Sequence, residues 1–229
     1  MALAPDVLRP TSSVQATQNR VLRNTYWLLA LSLVPTAVGA LVGMTVNFSF
    51  LAASPIMSGL VFLAIVYGLF FAIERNKNSS TGVVLLLGLT LFLGFALAPT
   101  LQVALGLKNG GQLVALAAGG TAAVFFGLSA LASAAGRDFS GLAKFLTVGV
   151  IVAMVGVVAN LFLQIPLLHL VLSGVFVILC SLIILFQINQ IVRGGETNYV
   201  TATLTLYMSI YNIFVSLLNI LMAVSGQRE

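Results

Sequence analysis

The sequence predicts an all-α membrane protein, a bundle of seven transmembrane helices, and two observations lead to that fold class. Hydrophobic residues make up 60% of the 229-residue chain and charged residues only 7%, whereas an ordinary soluble domain carries about 25% charged residues. Seven apolar runs have about the 20 residues that a helix needs to cross a bilayer. They are too long for strands of a membrane barrel, which span about 10 residues of alternating character.

Charged residues, prolines, glycines and polar clusters separate the seven predicted spans. The spans are expected at residues 24–46, 56–73, 81–105, 113–135, 142–163, 167–191 and 200–224. Residues 1–22 are predicted to form a flexible tail, and residues 23–226 the membrane domain. The tail lacks the apolar core of a secretory signal peptide. Pro35 is expected to kink the first span, and Pro99 to end or bend the third.

Basic residues predict the orientation of the bundle. If the N-terminus is inside, eight of the ten Lys and Arg residues lie on the inner side and two on the outer side, which agrees with the positive-inside rule. The N-terminus is therefore expected in the cytoplasm and, after an odd number of spans, the C-terminus outside. The inner residues are Arg9, Arg20, Arg23, Arg75, Lys77, Arg137, Lys144 and Arg193, and the outer ones are Lys108 and Arg228.

A polar stripe along the seventh span is the clearest candidate functional feature. Its members recur every three or four positions and so share one helical face: Thr201, Thr205, Ser209, Asn212, Ser216 and Asn219. Because polar groups in hydrocarbon are costly, this helix is expected at the centre of the bundle. Two interpretations stay open, namely hydrogen bonds between helices, worth about 0.6 kcal/mol each, and the lining of a polar pathway. Asn160 and Gln187 add candidates on the fifth and sixth spans.

Small residues predict close helix packing in two other spans. Gly39 and Gly43 form a GxxxG pair in the first span, and Gly149 and Gly156 lie on one face of the fifth. Glycines at such spacing let neighbouring backbones approach closely.

Three further residues are candidates for sensing or gating. His169, the only histidine, lies at the outer end of the sixth span, and histidine is the side chain that ordinarily titrates between about pH 5 and pH 8. It is either a pH sensor or an interfacial residue bonded to a neighbour. Arg193 and Glu196 flank Gly194 and Gly195 on the inner side. They either pair across the mouth of the bundle or form a solvated pair of little energetic value.

The sequence argues against an enzyme, a metalloprotein and a nucleic-acid binder. It contains no HExxH, GxSxG or Walker motif, and all five acidic residues lie in predicted loops or tails. The lone histidine and lone cysteine, Cys180, provide neither a catalytic pair nor a metal cluster. The net charge of +5 resides in loops and tails, so it reflects topology and not affinity for nucleic acid. No catalytic residue, metal site or cofactor is expected.

Several segments resemble the bacterial YccA branch of the Bax inhibitor-1 family. They are residues 21–26 (VLRNTY), 119–126 (GGTAAVFF), 157–166 (VVANLFLQIP), 194–199 (GGETNY) and 206–218 (LYMSIYNIFVSLL). The resemblance covers nearly the whole chain. It implies a seven-helix fold with the last helix central, in the bacterial inner membrane. In that membrane, the outer side that the basic residues and the odd span count predict for the C-terminus is the periplasm.

The resemblance implies two functions that this sequence supports unequally. Members of the family are described as calcium-leak proteins gated by pH through two aspartates, whose positions match Gln187 and Ser209. A Gln–Ser pair cannot change charge near neutral pH, and calcium prefers charged oxygen ligands, so calcium is expected only as a transported or weakly bound ion. The YccA branch implies a modulator, and possible slow substrate, of the membrane AAA protease FtsH. A flexible cytoplasmic tail is a segment that such a protease can grip.

Overall fold

The computed structural model describes residues 10–48, 54–133 and 139–226, with side chains from residue 16 onward. This part of the chain contains seven helices and no strand, and each helix is long and apolar enough to cross a membrane. The predicted fold class is therefore confirmed. The helices are α1 (Pro10–Met44), α2 (Pro55–Asn76), α3 (Ser80–Leu105), α4 (Gly110–Ser133), α5 (Leu142–Leu163), α6 (Pro166–Arg193) and α7 (Tyr199–Gly226).

The observed helix ends agree with the predicted spans to within three residues, with one exception. α1 begins at Pro10, so residues 10–22, which were expected to belong to the tail, continue the first helix. Tertiary packing explains the extension, because Val21 is buried against Ile191 and Ala202, and such packing stabilises helices beyond their intrinsic propensity. The predicted tail residues 1–9 and the predicted span end at Ala135 lie outside the described residues.

Contacts between turns define two faces of the bundle. On the N face, the Asn198 side chain of the α6–α7 turn donates a hydrogen bond to the Lys77 carbonyl of the α2–α3 turn, at 3.1 Å. On the opposite C face, the Gln102 side chain at the end of α3 donates to the Met44 carbonyl at the end of α1, at 3.2 Å. Successive helices therefore run in opposite directions between these faces, as the predicted spans require.

α7 occupies the centre of the bundle. It contacts α1, α2, α3, α4 and α6, and none of its residues from Val200 to Ala223 is exposed. Leu206, Ile213 and Leu218 on its other sides are inaccessible, whereas the polar stripe is buried at Ser209 and Ser216 and partly buried at its other four positions. The central position predicted for this helix is thus confirmed.

α1 packs against α3 at backbone distance. A Cβ atom added to Gly39 would collide with the Leu91 carbonyl oxygen, and one added to Gly94 would collide with the Thr36 carbonyl oxygen. Gly39 belongs to the predicted GxxxG pair, and its partner Gly43 lies against Phe95 and Ala98 of the same helix. The pattern therefore mediates close packing of these two helices.

Candidate functional site

A cavity of about 760 Å³ lies between α2, α5, α6 and α7, in the half of the bundle nearest the C face, and we call it the polar cavity because seven polar side chains interrupt its mostly apolar lining. Four of the candidate residues line it, namely Asn160, His169, Asn212 and Ser216. Three further polar residues, Gln164, Ser173 and Asn219, line it as well. Asn219 belongs to the predicted polar stripe, whereas Gln164 and Ser173 come from the α5–α6 turn and from α6.

The polar side chains of this cavity hydrogen bond mainly to their own backbone. Asn160 Oδ1 accepts from the Ile165 amide at 3.0 Å and so orders the α5–α6 turn. Asn212 Nδ2 donates to the Met208 carbonyl at 2.8 Å, one turn earlier in α7. His169 is exposed at the rim. The lining offers neutral amides, hydroxyls and one imidazole, which suit transient contact with a hydrated ion and not tight cation binding.

Gln187 and Ser209, the positions of the family's aspartates, lie outside the polar cavity. Both are buried, and Ser209 Oγ donates to the Thr205 carbonyl of its own helix at 2.9 Å. Ser209 and Asn212 therefore do not form the interhelical hydrogen bonds that one interpretation of the stripe required. Gln187 Nε2 has no hydrogen-bond partner among the described residues.

Apolar side chains separate the cavity from the N face. The cavity wall on α7 begins at Asn212, and the contact of α6 with α7 nearer the N face is filled by Ile184, Ile188, Val200 and Leu204, all of them buried. In this conformation the cavity does not cross the described part of the bundle. No three His, Cys, Asp or Glu side chains within residues 16–226 that the structure describes come together as metal ligands.

The α6–α7 turn on the N face is organised by its own side chains. Glu196 Oε1 accepts from the Asn198 amide at 2.8 Å, and Asn198 Oδ1 accepts from the amides of Val200 and Thr201 at 2.9 and 3.1 Å, which caps α7. Gly194 ends α6 with a φ of 80°, in the left-handed region that favours glycine. The predicted contact of Arg193 with Glu196 stays a prediction.

Sequence reasoning missed a polar network that joins this turn to the α2–α3 turn. Lys77 Nζ forms an ion pair with Glu74 Oε2 at 3.0 Å, and the Thr201 hydroxyl donates a hydrogen bond to Glu74 Oε1 at 3.1 Å. Asn198 Nδ2 donates to Asn78 Oδ1 at 2.8 Å. The hydrogen bond that Lys77 donates to Glu74 raises the pKa of Lys77, and the negative charges of Glu74 and Glu196 raise it further. The polar residues after the second span were visible in the sequence, but their partners lie about 120 positions away.

Comparison with known proteins agrees with this architecture. The family model described as "Inhibitor of apoptosis-promoting Bax1" (Bax1-I) matches residues 18–226. The chain is 44% identical to the Escherichia coli protein named "Modulator of FtsH protease YccA". The 204 aligned residues cover 89% of this chain and 90% of that protein. It is 45% identical over 213 residues to an uncharacterized protein of Neisseria meningitidis, covering 92% and 94% of the two chains. An uncharacterized membrane protein of Vibrio cholerae is 40% identical over 213 residues, or 92% and 93% of the two chains. The chain belongs to the Bax inhibitor-1 family.

Proposed function

We propose that this chain is a multi-pass protein of the bacterial inner membrane that modulates a membrane-bound AAA protease of the FtsH type. The observation that carries the proposal is the 44% identity, over 89% of the chain, to a protein named as a modulator of that protease. The excess of Lys and Arg on the N face supports a cytoplasmic N-terminus. A protease that works from the cytoplasm would therefore meet the N face.

The N-terminal half of α1 gives this proposal a structural basis. Trp27 is 72% exposed, and tryptophan is enriched at the membrane–water interface. The 17 residues from Pro10 to Tyr26 then extend about 25 Å beyond that level at 1.5 Å per residue. Val21 is buried against α6 and α7, and a Cβ atom on Gly194 would lie 2.8 Å from the Gln18 side chain. An ordered helix thus extends from the bundle as far as Pro10.

Deletion of Ala2–Arg9 tests whether the chain is also a slow substrate of this protease, without removing any residue of α1. We expect the deleted chain to be degraded several-fold more slowly in cells with active FtsH, because a processive protease starts at a chain end that precedes folded structure. A Gly/Ser segment of the same length in place of residues 2–9 is the matched control and should restore turnover.

The modulator role needs a separate measurement on the full chain. We expect the full-length protein to co-purify with a proteolytically inactive FtsH and to slow the turnover of another membrane substrate. If it neither associates with FtsH nor alters that turnover, the proposal fails, whatever the half-life of the chain itself.

The polar cavity favours a second candidate function, a cation leak. Because the cavity has no acidic residue in its lining, we expect any calcium flux into dye-loaded liposomes to be slow and to lack the pH dependence that a pair of carboxylates confers. The double variant Gln187→Asp/Ser209→Asp should gain pH-dependent flux. The neutral variant Gln187→Asn/Ser209→Asn, of the same side-chain size, should not. If the calcium flux of both the wild type and the double variant equals that of empty liposomes, the leak is excluded.

A further inference from the structure

A second cavity is a lateral groove of about 880 Å³ between α1 and α4. α1 and α4 meet at the rings of Tyr26 and Phe125, whose centroids lie 6.1 Å apart, and beside this contact α7 with part of α3 forms the floor between the two helices. We call this cavity the α1–α4 groove. Its walls and floor include Ala30, Leu33 and Ala37 of α1, Ala122 and Phe126 of α4, and Tyr211 of α7.

The α1–α4 groove faces the lipid and presents an apolar surface. Leu33 and Phe126 at its edges are 50% and 69% exposed, and both lie within membrane spans. Polar atoms of its floor are already engaged, since the Tyr211 hydroxyl donates to the Leu93 carbonyl at 3.2 Å. The Tyr207 and Thr36 hydroxyls lie 2.7 Å apart and bond each other. A ligand of this groove therefore gains mainly dispersion contacts.

The lining of the groove suits a thin flexible chain. Ala30 and Ala37 of α1 face Ala122 of α4 across it, so the slot between these small side chains accepts a hydrocarbon chain in dispersion contact.

A positive charge marks the N-face end of the groove. Positions 23, 26, 30, 33 and 37 of α1 are spaced by three or four residues and share one face, so Arg23 continues the groove wall beyond Tyr26. Arg23 is exposed and lies one turn outside Trp27, which marks the interface. This places its guanidinium at the level of lipid phosphates, which arginine binds in bidentate fashion.

We propose that the α1–α4 groove is a binding site for one anionic phospholipid, with an acyl chain in the slot and its phosphate on Arg23. The lipid would fill the space that the contact of Tyr26 with Phe125 leaves open between α1 and α4. This proposal is independent of the protease and of any ion flux.

Native mass spectrometry of the full chain tests the acyl-chain part of the proposal. The protein is reconstituted in nanodiscs of phosphatidylglycerol and phosphatidylcholine in equal amounts, extracted in mild detergent and weighed. We expect one retained phospholipid on the wild type. Ala122→Phe should remove it by filling the slot, whereas Ala123→Phe should retain it. Ala123 is an equally exposed neighbour that does not line the groove.

The headgroup part is tested by Arg23→Gln. We expect the preference for phosphatidylglycerol over phosphatidylcholine to fall about fivefold, the effect of one basic residue near an anionic surface. Arg75→Gln, an exposed arginine at the N-face end of α2, should leave the preference unchanged. Equal lipid retention by Ala122→Phe and wild type would overturn the proposal. The proposal would also be overturned if the wild type retained no phospholipid. A dimer of the wild type that Ala122→Phe abolishes would overturn it as well, because a second copy of the chain would then occupy the groove.

Discussion

Replacement of Gly94 by valine is expected to destabilise the bundle by about 3 kcal/mol, the upper part of the range for overpacked cores. A Cβ atom at this position would meet the carbonyl oxygen of Thr36, and would lie 2.7 Å from its carbonyl carbon and 2.8 Å from its Cα. These are backbone atoms of α1, so no flexible side chain can move aside. α1 would have to shift away from α3, which would also disturb the bond of Thr36 to Tyr207.

Gly88→Val is the matched control for this prediction. Gly88 lies on the same helix and is exposed, and a Cβ atom added to it would have no neighbouring atom within 4 Å. The two variants share the change in side-chain size and in helix propensity, so their difference isolates the clash with α1. The measurement is reversible unfolding in mixed micelles with SDS, followed by circular dichroism. Equal midpoints for the two variants would show that α1 and α3 can separate without cost.

The membrane helices were predictable because the bilayer imposes their length. Six of the seven predicted spans begin within three residues of the observed helices, and the six spans whose predicted ends are described also end within three residues. The central place of α7 followed from the cost of polar groups in hydrocarbon, since a stripe such as Thr205, Ser209 and Asn212 is tolerated only inside the bundle. Both inferences use local sequence alone.

The extent of α1 was not predictable in this way. Residues 10–22 are mostly polar, and their four apolar side chains, Val14, Ala16, Val21 and Leu22, form no long apolar run. Val21 packs against Ile191 and Ala202, which lie 170 or more positions away. Contacts at such separation are not visible in the local sequence, so the segment gave no indication of a docked helix.

The sequence indicated several residues of the candidate site but not the position or depth of the cavity that they line. Asn160, His169, Asn212 and Ser216 do meet in one cavity, but Gln187 and Ser209 lie apart from it in the buried core. Helical periodicity gives the face of a residue on its own helix. The depth at which a cavity ends depends on neighbours such as Ile184 and Ile188 of α6, which periodicity does not reveal.

Truncation of Tyr207 is the second change with a large expected effect. Tyr207 is 1% exposed, and its hydroxyl lies 2.7 Å from Thr36 Oγ1 of α1 and 3.5 Å from the Thr90 carbonyl of α3. One side chain of α7 thus connects three helices beneath the α1–α4 groove. Tyr207→Ala should lower the free energy of unfolding by roughly 3–5 kcal/mol, as for other buried aromatic residues.

Two companion variants separate packing from hydrogen bonding at this position. Tyr207→Phe keeps the ring and should cost only about 1 kcal/mol, the net value of the lost hydroxyl contacts. Tyr67→Ala removes a tyrosine of α2 that is 55% exposed and should stay within about 0.5 kcal/mol of wild type. If Tyr207→Phe is as damaging as Tyr207→Ala, the hydroxyl contacts with Thr36 and Thr90 would hold α1 and α3 on α7. If only Tyr207→Ala is damaging, packing of the ring holds them, as its complete burial leads us to expect.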